Sequence, residues 1–184
     1  MAATPIVAAQ GLTEFSLDEV AARADVTRNL LYHYFPRGRP DIALAVLRLA
    51  ERELGAGWNL DEALPLQDRV TSNFRHIADH ALRPTDAWLI HRHSRAAVEP
   101  ELRAAAERSL DFMVSVIARN QFGTSDPPPL ARLALRGYVA FAETVLDDSR
   151  ASGIPRAQVM HLMTDTLFAT VRAGRARHSR VPAL

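Results

Sequence analysis

Arg28, Asn29, Tyr32 and His33 lie within one short stretch and share a face if that stretch is helical. Their chemistry is that of nucleic-acid recognition. A guanidinium pairs with phosphate or guanine, and a carboxamide reads adenine or meets phosphate. A tyrosine hydroxyl donates to phosphate while its ring packs on the sugar. Leu31 and Phe35, four residues apart, form the opposite, core-facing side. Two other groups of side chains invite a different chemistry. His76 and His80 stand one helical turn apart, a spacing that suits metal ligation. No third ligand accompanies them, and Ile77 rather than either histidine lies on the apolar stripe, so both are expected to face solvent. His91 and Arg95 also share a helical face, which could bind an anion, abut the N-terminal helices, or simply be solvated.

These residues need helices to hold them, and the chain supplies little else. Strand-like alternation is absent, and apolar residues recur at helical spacing throughout. Leu66, Val70, Phe74, Ile77 and Ala81 fall on one face, as do Leu102, Ala106, Leu110, Met113 and Ile117. Leu130, Ala134, Tyr138, Phe141 and Val145 repeat the pattern, with a second stripe of Leu135, Val139, Ala142 and Leu146 beside it. Glycine and proline punctuate the pattern at Gly55, Gly57, Pro84, Gly123 to Pro129, and Gly153 to Pro155. The spacing predicts nine helices, over 3–11, 16–24, 27–34, 40–54, 65–82, 85–98, 101–121, 128–151 and 155–175. The fold class is all-α: a three-helix head, a connecting helix and a helical body. The expected division is 1–54 for the head with its connecting helix and 55–184 for the body.

Capping chemistry sharpens the head. Ser16-Leu17-Asp18-Glu19 reads as a capping box, in which the Ser16 hydroxyl takes the Glu19 amide and the Glu19 carboxylate returns to the Ser16 amide. Asp25-Val26 makes a short turn and Thr27 caps the next helix. Two short helices joined by a tight turn are the geometry of a helix-turn-helix, whose second helix enters the major groove.

Composition sets limits on the alternatives. The chain has 184 residues, 48% of them hydrophobic, enough for a packed core. It has no cysteine, which excludes disulfides and thiolate chemistry. No apolar run approaches a membrane span, and Met1 to Gln10 lacks the positive charge of a signal peptide, so a cytoplasmic protein with no membrane partner is expected. All 22 basic residues are arginine. The net charge is only +1, and residues 1–57 hold six arginines against seven acids. Between Thr27 and Pro40, however, Arg28, Arg37 and Arg39 meet no acid, so the positive field is confined to one strip and non-specific DNA binding is expected to be weak.

The stretch from Ser16 to Val46, SLDEVAARADVTRNLLYHYFPRGRPDIALAV, resembles the signature of the tetracycline-repressor (TetR) family. The likeness extends to the apolar first helix before Gly11 and covers about the first quarter of the chain. It implies a DNA-binding transcriptional regulator, expected to be a repressor that a small molecule releases from its operator. It implies Ser16, Thr27, Arg28, Asn29, Tyr32 and His33 as DNA-facing positions. Two departures stand out: the chain begins inside the first helix, where the family usually carries a basic tail, and Arg37-Gly38-Arg39-Pro40 replaces the usual lysine after the recognition helix. Arg37 or Arg39 is expected to supply that phosphate contact. The resemblance also implies a homodimer through the last two helices, with Ala134 and Gly137 allowing close approach. It places an amphipathic effector among helices five to eight, lined by Phe74, Trp88, His91, Met113, Tyr138 and Phe141. No catalysis and no cofactor are expected. The competing classes are a metal-dependent hydrolase using His76 and His80, and a binding protein that kept this fold but lost DNA binding. The arginines at 172, 175, 177 and 180 read as a helix end followed by a tail.

Overall fold

The structure, a computed structural model, describes residues 1–176, all of whose regular elements are helices. In chain order they are α1 (Thr4–Gln10), α2 (Leu17–Arg23), α3 (Arg28–Tyr34), α4 (Arg39–Gly55), α5 (Leu66–Leu82), α6 (Asp86–Arg95), α7 (Pro100–Phe122), α8 (Pro129–Ser152) and α9 (Arg156–Ala176). The nine fall where the apolar periodicity puts them, within about three residues at each end. Their starts are chemically explicit. Ser16, Thr27 and Thr85 each accept the backbone amide three residues on, and Pro5, Pro40 and Pro129 sit in first turns, where their missing N–H has no intrahelical partner to lose. Gly153, with φ of 66°, ends α8 in the left-handed conformation. Arg177 and Arg180 lie outside the described residues.

The chain divides into two compact units. The first comprises Met1–Ala56 and Arg83–Ser109, so α6 and the start of α7 join the expected head and its connecting helix. Here α6 packs on α4 and α1. The buried side chains include Phe15, Ile42, Val46, Leu47, Trp88 and Ile90. The His93 Nε2 lies 3.0 Å from the carbonyl oxygen of Ala8. A carbonyl only accepts, so Nε2 carries the proton and ties α6 to α1. His91, for which a solvated face stood open, is buried in this unit with its ring 5.7 Å from that of Trp88.

The second unit comprises Gly57–Leu82 and Leu110–Leu184. In it α8 packs along α9, and α5 crosses both. The stripe of Leu135, Val139 and Leu146 is its core, together with Val159, Met163 and Leu167. Close helix approach occurs at Gly174, where an added Cβ would meet Ala131 at 3.2 Å. Gly137 has nothing within 4 Å in its own chain and lies on an exposed face with Leu130, Leu133 and Ala140, on the side open to a second subunit. The loop before α5 is pinned by amides. Asn59 donates its backbone N–H to the Asn73 side chain at 2.6 Å, and its carbonyl accepts from Asn73 at 3.2 Å and Asn120 at 3.4 Å. His76 and His80 are half-buried rather than solvated. Their rings stand 4.9 Å apart edge to face, and Trp58 adds a third ring 6.4 Å from His76. Gly57 leaves the room that the His76 ring fills.

Candidate nucleic-acid interface

The helix-turn-helix is built from caps. The Ser16 hydroxyl accepts from the Glu19 amide at 3.2 Å. The reciprocal half of the capping box is routed through a third residue: Gln10 Oε1 accepts from the Ser16 amide at 2.9 Å, while Gln10 Nε2 donates to the Glu19 carboxylate at 2.7 Å. The detour satisfies the same groups and also fastens the end of α1 to the start of α2. After α2 the chain reverses at Asp25, whose φ of 53° makes it the one non-glycine residue with positive φ among the described residues. Aspartate tolerates this region better than most side chains. The amides of Asp25 and Val26 donate back to Ala22 and Ala21, which closes the turn. Thr27 then takes the Leu30 amide at 3.3 Å and starts α3.

Within α3 only Leu31 is fully buried, and Phe35 just beyond it is half-buried. Thr27, Arg28, Asn29, Tyr32 and His33 are all exposed, as the periodicity places them. Two further apolar groups join them. Leu30 is exposed, and Tyr34 is 69% exposed with its ring edge-on to His33. The sequence does not single out Tyr34, because Arg28, Asn29, Tyr32 and His33 already account for the polar face of that stretch. Its aromatic type on a short helix with a single buried anchor was the available signal.

The loop from α3 to α4 turns on Gly38, whose φ is 69°. A Cβ there would come within 3.0 Å of the Tyr32 ring, so glycine serves both the backbone and the packing of the aromatic above it. The flanking arginines differ in use. Arg39 Nε donates to the Phe15 carbonyl at 2.8 Å and so holds the loop before α2. Arg37 meets two acids: its Nε donates to Asp41 at 2.7 Å and its Nη1 to Glu101 at 2.7 Å. Asp41 also accepts the Arg37 amide at 2.9 Å. These contacts lower the pKa of both carboxyls and raise that of the guanidinium. Arg28 is engaged as well. The Tyr32 hydroxyl and then the Asp18 carboxylate, 3.1 Å away, favour its charged form. The strip that is free of acids in sequence therefore has carboxylates brought to it from α2, α4 and α7.

The six residues expected to line an effector site are divided between the units. Trp88 and His91 belong to the first. Phe74, Met113, Tyr138 and Phe141 belong to the second. There the Tyr138 ring is 6.4 Å from Phe74 and 6.1 Å from Phe141. The Tyr138 hydroxyl donates to the Met163 carbonyl at 2.9 Å, and burial pushes its pKa upward. The same unit buries Asn73, Asn120, Gln121, Glu143 and Ser149, polar groups that the sequence reading did not single out. Among the described residues, no three histidine, cysteine, aspartate or glutamate side chains are grouped to hold a metal ion. No described helix is long and apolar enough to cross a membrane.

No curated protein matches the chain. Residues 2–46 match the family model described as bacterial regulatory proteins, tetR family. The match begins before α1 and ends within α4, and so contains both caps, the Asp25 turn and the exposed face of α3. The match shows a tetR-family amino-terminal domain over residues 2–46 and supports a DNA-binding transcriptional regulator.

Proposed function

We propose that this regulator is a ligand-responsive repressor that binds operator DNA as a homodimer in the cytoplasm and is released by an amphipathic small molecule. The observation that carries the DNA half is α3, a helix anchored through Leu31 that presents Arg28, Asn29, Tyr32, His33 and Tyr34 to solvent. Such a face suits the major groove, where Arg28 and Asn29 read base edges and Tyr32 meets the backbone. Ser16 and Thr27, at helix starts, are assigned to phosphate, and so is Arg37. Arg39 is the weaker candidate because its Nε holds the Phe15 carbonyl. The division of labour proposed is DNA binding by residues 1–54 and effector binding and dimerisation by 55–184.

The effector reading is supported by the rings of Phe74, Tyr138 and Phe141 in a unit that also buries Glu143 and Asn73. Aromatic surface with a few polar groups suits amphipathic molecules. Met113 is retained as a lining residue. Trp88 and His91 lie in the first unit, where α6 packs on α1 and α4, the helices that flank the motif. No catalytic role is proposed for His76 and His80.

The experiment is a gel shift with the DNA upstream of the chain's own gene, followed by titration of compounds selected by thermal shift. Retarded DNA that a binding compound releases supports the whole reading. Retarded DNA that no binding compound releases leaves a DNA-binding regulator without induction. A protein that binds no duplex even at low salt would be a helix-turn-helix fold that has lost its original task.

A further inference from the structure

We infer that Glu101, at the start of α7 and outside the family-matched segment, competes with DNA phosphate for Arg37 and so sets how tightly the head holds DNA. The inference rests on the reading that Arg37 meets the DNA backbone. Its two acids are not equivalent. Asp41 accepts both the Arg37 amide and its Nε, and its side chain is only 21% exposed. It is part of the turn that starts α4. Glu101 touches only the terminal Nη1, and its side chain is 56% exposed. Both Arg37 and Glu101 line an open cleft of about 540 Å³ in the first unit, with Leu12, Pro40, Leu44 and Leu102. Solvent and ions therefore reach the pair.

A guanidinium has five N–H donors in a planar fork. With Asp41 on Nε, the terminal nitrogens Nη1 and Nη2 remain as the place for a further anion. Glu101 holds that place in the free protein. A phosphate arriving there must displace Glu101 or sit beside its negative charge, and either lowers affinity. The contact also links the DNA-facing loop to α7 by a route that does not pass along α4.

The test measures binding of a fluorescent random-sequence duplex at low salt by wild type, Glu101→Gln, Arg37→Gln and the double variant. Glu101→Gln is expected to bind about two- to fivefold tighter, the range of an exposed ion pair. In the Arg37→Gln background the same change is expected to give a clearly smaller gain. Removing any acid raises general attraction to DNA, so an equal gain in both backgrounds would overturn the inference. Unchanged or weaker binding by Glu101→Gln would also overturn it, the latter by showing that Glu101 positions Arg37 rather than competing for it. If Arg37→Gln binds as wild type does, the assignment of Arg37 to phosphate fails first. If Arg37→Gln weakens binding while Glu101→Gln does nothing, that assignment stands and the competition alone fails.

Discussion

Arg28 and Tyr32 illustrate how a residue can be legible in kind but not in setting. Their spacing on α3 shows in the sequence. The Asp18 carboxylate beside Arg28 and the Gly38 backbone beneath Tyr32 do not, because both are tertiary contacts. Arg28→Ala is expected to weaken operator binding about tenfold or more in an anisotropy titration, while the melting temperature stays within a degree or two, since its ion pair is exposed. Tyr32→Phe is the cleaner partner variant, because it keeps the ring over Gly38 and removes only the hydroxyl. Glu51 in α4 offers a second prediction. Its Oε1 is buried without a hydrogen-bond partner, and burial raises its pKa despite the nearby charges of Arg108, His91 and Arg48. For a carboxyl whose folded pKa is raised, the penalty is absent at low pH and complete above the folded pKa. Glu51→Gln is therefore expected to stabilise the protein at neutral pH, by up to about 1 kcal/mol once screening of the half-exposed group is allowed for. The gain should shrink as pH falls below the raised pKa and be gone below the ordinary glutamate range. Thermal melts at two pH values check it, and an equal shift at both would mean that charge is not the cause.

Helices are the scale at which the sequence speaks most clearly. A cap, a first-turn proline or a left-handed glycine acts within a few residues, so each boundary is written locally, and apolar periodicity does the rest. What local signals cannot carry is partnership. Nothing within Asp86–Arg95 says that α6 packs on α1 and α4, and the two apolar stripes of α8 look alike until α9 covers one of them. The amide clasp at Asn59 is hidden for the same reason: its partners, Asn73 and Asn120, come from α5 and α7. Asn73 is 5% exposed and makes two hydrogen bonds to the Asn59 backbone. Asn73→Ala is expected to lower stability by about 1–3 kcal/mol in urea denaturation, because it leaves the part-buried Asn59 amide unpaired and the Asn59 carbonyl with Asn120 alone. Val139→Asp should abolish folding, since Val139 belongs to the covered stripe.

For the whole molecule, the open question is what meets the uncovered side of α8. Leu133 there is 67% exposed, and Leu130 is 43% exposed. Under the dimer reading this side, with Gly137 and Ala140, belongs to the interface. Leu133→Asp is expected to convert a dimer into a folded monomer, seen as a halved mass in sedimentation with an unchanged helical circular-dichroism signal. A wild-type monomer at micromolar concentration would remove the dimer from the proposal. The same variant should lose most of its affinity for a two-half-site operator, while its random-duplex binding falls much less, because avidity rather than base reading is what disappears.

Gly38 constrains how this regulator can evolve. Any L-residue there is strained by the φ of 69° and is crowded by the Tyr32 ring. Position 38 is therefore closed to drift while position 32 is aromatic, and position 32 is one of those assigned to the operator. A change of DNA preference that shrinks the side chain at 32 would remove the crowding at 38, leaving the backbone strain, which at φ 69° and ψ −118° lies outside the left-handed helical well and favours glycine alone. In a selection for folded, DNA-binding variants from a library randomised at both positions, glycine should be kept at 38 even beside small residues at 32.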